Sequence, residues 1–164
     1  MLKALAGNTC HIGSDVFDHF NIDRTKLVSV PVADMVFKIL STPALQTLHC
    51  DVHGGRCALS FAELDVSGFP CNDWAPSGLQ RGIYGTYFAV LVALIQWHRS
   101  QRTRIIILEN VPEFDENVLR YLMSDLWDIH FFYLCPADAA CAYLSRMRVF
   151  ILCLLRGFLG LSLI

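Results

Sequence analysis

The sequence predicts an α/β fold built on a doubly wound parallel sheet. Three observations lead there. Short apolar or β-branched runs alternate along the chain with segments of helical spacing, the pattern of strands joined by crossover helices. One run, Ile105-Ile106-Ile107-Leu108, is apolar at every position, which suits a strand covered on both faces of a parallel sheet. The stretch Gly68-Phe69-Pro70-Cys71-Asn72-Asp73-Trp74 sets a thiol just past a strand end, on a loop feeding a long apolar helix. Open α/β sheets hold their ligands at such places.

Taken in order, Val16, Phe17 and Phe20 recur at helical spacing. Leu27 to Val32 is short and β-branched and reads as a strand. Ala33 to Leu40 reads as a helix, broken by Ser41-Thr42-Pro43. Leu45 to Val52 holds a short strand ending at Cys50-Asp51-Val52, and Gly54-Gly55 turns the chain. Leu64 to Val66 reads as a buried central strand leading into the cysteine loop. Thr86 to His98 is apolar nearly all round and reads as a buried helix. The strand at Ile105 to Leu108 runs into Glu109-Asn110-Val111-Pro112. Val118 to Trp127 reads as an amphipathic helix and Ile129 to Leu134 as a strand. Pro136 to Ala142 reads as a loop or short helix, and Val149 to Leu155 as a last strand.

A chain of 164 residues is expected to be one domain with a real core. At 54% hydrophobic and 17% charged residues it is too apolar to be disordered, and it is expected to leave surface for another body to cover. A net charge of −2 excludes a broadly basic nucleic-acid surface, so any such patch is local. Seven cysteines in no regular framework, behind an N-terminus without a signal peptide, point to a reduced intracellular protein. It would be nuclear in a eukaryote and cytoplasmic otherwise. The apolar end, Val149 to Ile164, is interrupted by Arg156 and Gly157 and falls short of the roughly 20 residues a membrane span needs.

Chemistry concentrates at two strand ends. A thiol is a nucleophile as its thiolate, and Cys71 follows one strand. Glu109 follows the next, behind four apolar residues that predict partial burial. Parallel strands joined by a right-handed crossover bring their carboxyl ends together, so the two are expected to face one crevice. His49, Cys50, Asp51, His53 and Cys57 carry metal-ligand chemistry, yet no Cys-x-x-Cys pair is present and Cys50-Asp51 also ends a strand, so no metal is expected. A Cys71–His98 or Cys71–His130 hydrolase pair is a weaker alternative, with Asp128 the nearest orienting carboxylate in sequence.

Gly68-x-Pro70-Cys71 with Trp74 and Gly78, then Glu109-Asn110-Val111, then Arg146-x-Arg148, resembles the cytosine-5 DNA methyltransferase family. The three motifs stand in the family's order and cover about half the chain. The resemblance implies a doubly wound sheet of the S-adenosylmethionine-dependent methyltransferase type, with residues 1–164 a single partial catalytic domain truncated at its C-terminal end. It implies methyl transfer from S-adenosyl-L-methionine to C5 of cytosine in DNA, RNA being the alternative substrate. A silent fragment that binds a partner, or a degraded copy, is the rival reading.

By the same resemblance, Cys71 is the nucleophile, Glu109 binds the N3/N4 edge of the base and Arg148 its carbonyl, while Arg146 holds the loop or a phosphate. Asn110 and Gly68 support the loop. The donor would meet Gly13, Ser14, Asp34, Asp51, Val52 and Pro70. Several positions depart from the family pattern: His11 and Thr9 in the donor turn, Pro31 where an acid is expected, Asn72, Ala75 and Leu144. The resemblance also leads to the expectation that residues 1–164 lack the family's target-recognition region. The apolar tail Phe158 to Ile164 is a candidate contact for a partner chain.

Overall fold

The computed structural model describes residues 15–59, 62–135, 137 and 146–158. Two 3₁₀ turns come first. Val16–His19 is capped by Asp15 and sends Phe17 into the core, with Phe20 buried just behind it. Arg24–Leu27 is capped by Asp23, whose carboxylate accepts from Thr25 N at 3.0 Å. Helix α1 spans Val32–Ser41 and buries Met35 and Ile39. It ends where Thr42 Oγ1 donates to the Lys38 carbonyl at 2.7 Å and Pro43 forbids continuation.

The strand expected over Leu27 to Val32 is therefore absent. The local cap at Asp23 outcompetes β propensity. Pro31, which has no N–H to give a ladder, sits just ahead of α1, where no donor is needed.

Strands β1 (Thr47–Cys50) and β2 (Gly55–Ala58) form an antiparallel hairpin that is a sheet of its own. The other four strands share one sheet in the order β3-β4-β6-β5: β3 is Leu64–Gly68, β4 Ile105–Asn110, β5 Trp127–Leu134 and β6 Arg148–Leu155. β3 and β4 are parallel, and β6 is antiparallel to both β4 and β5. Three strands thus point one way and β6 alone is reversed, so the sheet is mixed. Hydrophobic pattern carries no strand direction, which is why the sequence reads all of them as parallel.

Helix α2 (Phe88–Gln101) is the crossover from β3 to β4, and α3 (Glu116–Met123) follows β4. The helical reading of Val118 to Trp127 stops short of its end: the chain turns after Met123 and Trp127 opens β5. Arg99 of α2 clamps that turn, donating to both Asp125 carboxylate oxygens at 2.7 and 2.5 Å and to the Leu122 carbonyl at 3.1 Å. The ion pair lowers the pKa of Asp125 and raises that of Arg99. The core lies between helices and sheet: Leu91 and Ile95 of α2, Ile106 and Leu108 of β4, Leu119 and Met123 of α3, Trp127 and Ile151 are all inaccessible.

β3 is an edge strand rather than a central one. Leu64 and Val66 stand 52% and 71% exposed. A three-residue apolar run does not distinguish edge from centre, and here Asp65 and Ser67 alternate onto the helix side. Among the described residues no helix is long and apolar enough to cross a membrane.

α2 is buried nearly all round, as its sequence indicates, and that burial takes His98 out of water completely. Its Nδ1 lies 3.3 Å from Thr103 Oγ1, and its Nε2 lies 3.9 Å from Asp65 Oδ1. Burial, only partly opposed by Asp65, pushes the imidazole pKa down to about 4. The unfolded chain takes up a proton near pH 6.5 and the folded one does not. Stability is then complete above about pH 6.5 and falls as pH drops toward 4, by up to about 3 kcal/mol. Urea midpoints measured from pH 7 to pH 4.5 are expected to fall more steeply for the native chain than for His98→Gln; parallel slopes would contradict this.

Candidate active site

The site grows from the register of β3 and β4. Gly68 ends β3 directly opposite Glu109, and Phe150 of β6 lies opposite Glu109 on the other side. Arg148 is two residues before Phe150 and so shares its face. It is the diagonal neighbour of Glu109, and its Nε donates to Glu109 Oε1 at 2.8 Å. Gly68 has no side chain to compete: a β-carbon there would lie 3.7 Å from Glu109 Oε2. Both charged groups keep solvent access, with side chains 24% and 41% exposed. The carboxylate is thus held by one guanidinium contact and still open to a polar ligand.

Past Gly68 the chain makes a compact loop with Cys71 half-buried in it. The Cys71 carbonyl accepts from Trp74 N at 2.9 Å and Ala75 N at 2.8 Å, and the Asn72 carbonyl from Leu79 N at 2.7 Å. Asn110, 1% exposed, donates from Nδ2 to the Phe69 carbonyl at 3.1 Å, and its Oδ1 accepts from Val111 N at 2.8 Å. One buried amide therefore ties the end of β4 to the cysteine loop. Phe69 and Trp74 from that loop pack edge-on with Phe114 from the segment after β4, with ring centroids 5.0 to 6.0 Å apart.

Sequence patterning does not single out Asp73 or Phe114. Asp73 is buried, its Oδ2 accepting from Tyr87 N at 2.8 Å at the start of α2 and its carbonyl from Gly82 N at 2.8 Å. A carboxylate suits the positive end of a helix. The available signal for it is Gly85, where a β-carbon would overlap the Asp73 carboxylate; at Gly78 one would overlap the Asn72 carbonyl. Two glycines at close approach thus mark a loop folded back on itself.

The remaining candidates lie on several elements. Pro70 belongs to the cysteine loop and is half-buried; Arg146 is exposed ahead of β6. Asp34 stands exposed in the first turn of α1. Asp51 and Val52 lie on the turn of the β1–β2 hairpin, outside the four-stranded sheet, with Asp51 Oδ1 3.8 Å from His49 Nδ1. Gly13, Ser14 and Leu144 lie outside the described residues, as do residues 159–164 of the tail. A cavity of about 960 Å³ opens between α1 and α3, lined by Phe37, Tyr121 and Asp125 among others; neither Cys71 nor Glu109 is in its wall.

The hydrolase alternative gains nothing from this layout. His98 faces Asp65, near the amino end of β3, whereas Cys71 follows the carboxyl end. His130 sits on β5, with β6 and β4 between it and β3.

No curated protein sequence gives a significant match. Among solved structures, the chain is similar to the Entamoeba histolytica methyltransferase EhMeth, at 17% identity and a TM-score of 0.45 over 80% of this chain. It is also similar to the S. pombe Dnmt2 methyltransferase, at 14% identity and a TM-score of 0.44 over 93% of this chain. It spans only 37% and 46% of the length of those two proteins. The sequence itself is more telling: residues 57–158 match the family model of the C-5 cytosine-specific DNA methylases. That match takes in well over half of the chain, including the cysteine loop and the Glu109 and Arg148 strand ends, and the chain belongs to the C-5 cytosine-specific DNA methylase family.

Proposed function

We propose that this chain transfers a methyl group from S-adenosyl-L-methionine to C5 of a cytosine in DNA, through a covalent adduct at Cys71. One arrangement supports the reading: the Glu109 carboxylate, held by Arg148 at 2.8 Å, stands at the strand end beside the one that launches the Cys71 loop. Among the described residues the donor candidates come from separate elements: Asp34 from α1, Asp51 from the β1–β2 turn and Pro70 from the cysteine loop. The donor, once bound, supplies an electrophilic methyl group. The chain's own residues act on the cytosine ring.

C5 of cytosine is a weak nucleophile. The Cys71 thiolate adds to C6, and the electron pair of the C5–C6 bond becomes available at C5. Negative charge builds on the ring as this happens. Glu109, protonated as it meets the N3/N4 edge, gives that proton to N3 and is left as the carboxylate that Arg148 holds, and Arg148 donates to the ring carbonyl as its oxygen gains charge. Once C5 carries its new carbon, loss of the C5 proton to water restores the double bond and expels the thiolate, and N3 returns its proton to Glu109. The base must leave its stack to reach these groups. Asn110 acts as a positioning residue, holding the loop through the Phe69 carbonyl.

The test is trapping by an oligonucleotide carrying 5-fluorocytosine, with S-adenosylmethionine present. Fluorine at C5 removes the proton whose loss frees the thiolate, so the adduct persists. A denaturant-stable complex is expected with DNA, absent for Cys71→Ser. A complex with RNA alone would move the substrate to RNA. No complex with either would leave the chain a silent member of its family.

A further inference from the structure

We propose that Cys50, His53 and Cys57 form a site for a thiophilic divalent cation, zinc foremost, at the tip of the β1–β2 hairpin. The two cysteines belong to facing strands. Cys50 closes β1 opposite Gly55, and Cys57 lies on β2 opposite Leu48. The turn between them is tight: Gly54 takes φ +65°, and its N–H donates to the Cys50 carbonyl at 2.8 Å. That turn carries His53 back between the two thiols. His53 Nδ1 lies 3.4 Å from Cys50 Sγ and 3.2 Å from Cys57 Sγ, and all three ligand atoms fall within 4.8 Å of one another.

These separations are close to those of a metal's ligands. Zinc–sulfur and zinc–nitrogen bonds of about 2.3 and 2.0 Å at tetrahedral angles put sulfur and nitrogen roughly 3.5 Å apart. A neutral ring nitrogen carries one hydrogen or one lone pair and cannot serve two sulfurs equally well. A cation bonded to all three atoms satisfies each of them. Two thiolates balance its charge, with both thiol protons released to solvent. Cys50 is buried, Cys57 half-buried and His53 exposed, so the cluster has a packed floor and an open side. The open side admits the ion and leaves a fourth position for water, the form of three-ligand zinc sites. The sequence already sets these three among its metal-ligand residues, and the hairpin, which the absence of a Cys-x-x-Cys pair does not reveal, brings them together. The ion would staple a two-stranded sheet that is marginal by itself. None of this depends on the proposed methyl transfer.

The experiment is a Co(II) titration of the purified chain under a phosphine reductant, which keeps Cys50 and Cys57 from pairing as a disulfide. One equivalent is expected to bind with a thiolate-to-cobalt charge-transfer band and the intense visible absorption of four-coordinate cobalt, both erased by added zinc. Cys57→Ser, which leaves one thiolate of two, should lose about half of the charge-transfer intensity. His53→Ala, on an exposed turn, should lose more than the roughly 10–100-fold in affinity that removing an outer-shell partner costs. Cys71→Ser should leave the spectrum unchanged. A pale six-coordinate spectrum without charge transfer, or an unaltered one in His53→Ala and Cys57→Ser, would overturn the proposal.

Discussion

Replacing Glu109 with Gln is expected to slow adduct formation at Cys71 by roughly 10²–10⁴-fold, the usual worth of a positioned acid. The amide keeps the shape of the carboxyl and can still touch the edge of the base. It has no proton to give to N3 as the thiolate adds, so charge accumulates on the ring. The substitution also removes the anion that Arg148 meets at 2.8 Å. Both side chains are partly in water, so breaking that pair costs the fold little, about 1 kcal/mol or less. Loss of rate at nearly unchanged stability is the signature that separates a chemical role from a structural one. Single-turnover trapping, with urea melts of both proteins alongside, measures both quantities. Equal trapping rates would remove Glu109 from the chemistry.

Phe114→Ala is expected to be the most damaging substitution near the site, at about 3–5 kcal/mol of stability. Phe114 is 4% exposed and packs edge-on against both Phe69 and Trp74, with centroids 5.1 and 5.0 Å away. Each such ring pair adds about 0.5–1.5 kcal/mol beyond the area it buries. The cavity would open between the cysteine loop and the segment after β4, the two pieces that Phe114 joins and whose alignment the proposed reaction needs. Trapping should therefore slow even where the variant is still folded, and Phe114→Leu, which keeps most of the volume, should recover much of both losses. A melt shifted by less than about 1 kcal/mol would mean the ring does not hold the two segments together.

The neighbouring parallel strands that carry Cys71 and Glu109 were legible because their signals are local. An all-apolar run ends in a carboxylate, a glycine-proline-cysteine loop precedes a long apolar segment, and topology brings the ends together. The pairing of Gly68 with Glu109 follows from that topology. Other features depend on what no short window contains. The reversal of β6 lies in a sheet partnership, and the exposure of β3 in which face the helices cover. The loss of a strand at Leu27–Val32 turned on one cap at Asp23 and on Pro31, each a single residue against a six-residue trend. Asp73 reads as an ordinary loop acid until the loop folds over it and leaves its carboxylate at the start of α2. The grouping of His53 with two thiols needed the hairpin turn to close first.

The most direct test asks which atom is joined to the base. The chain has seven cysteines, and any exposed thiol is chemically able to add to an activated pyrimidine. Digesting the 5-fluorocytosine complex and sequencing the modified peptide by mass spectrometry is expected to place the nucleotide on Cys71 alone, in DNA-treated native protein. A nucleotide on any other cysteine, or one spread among several, would contradict the assignment of Cys71 as nucleophile.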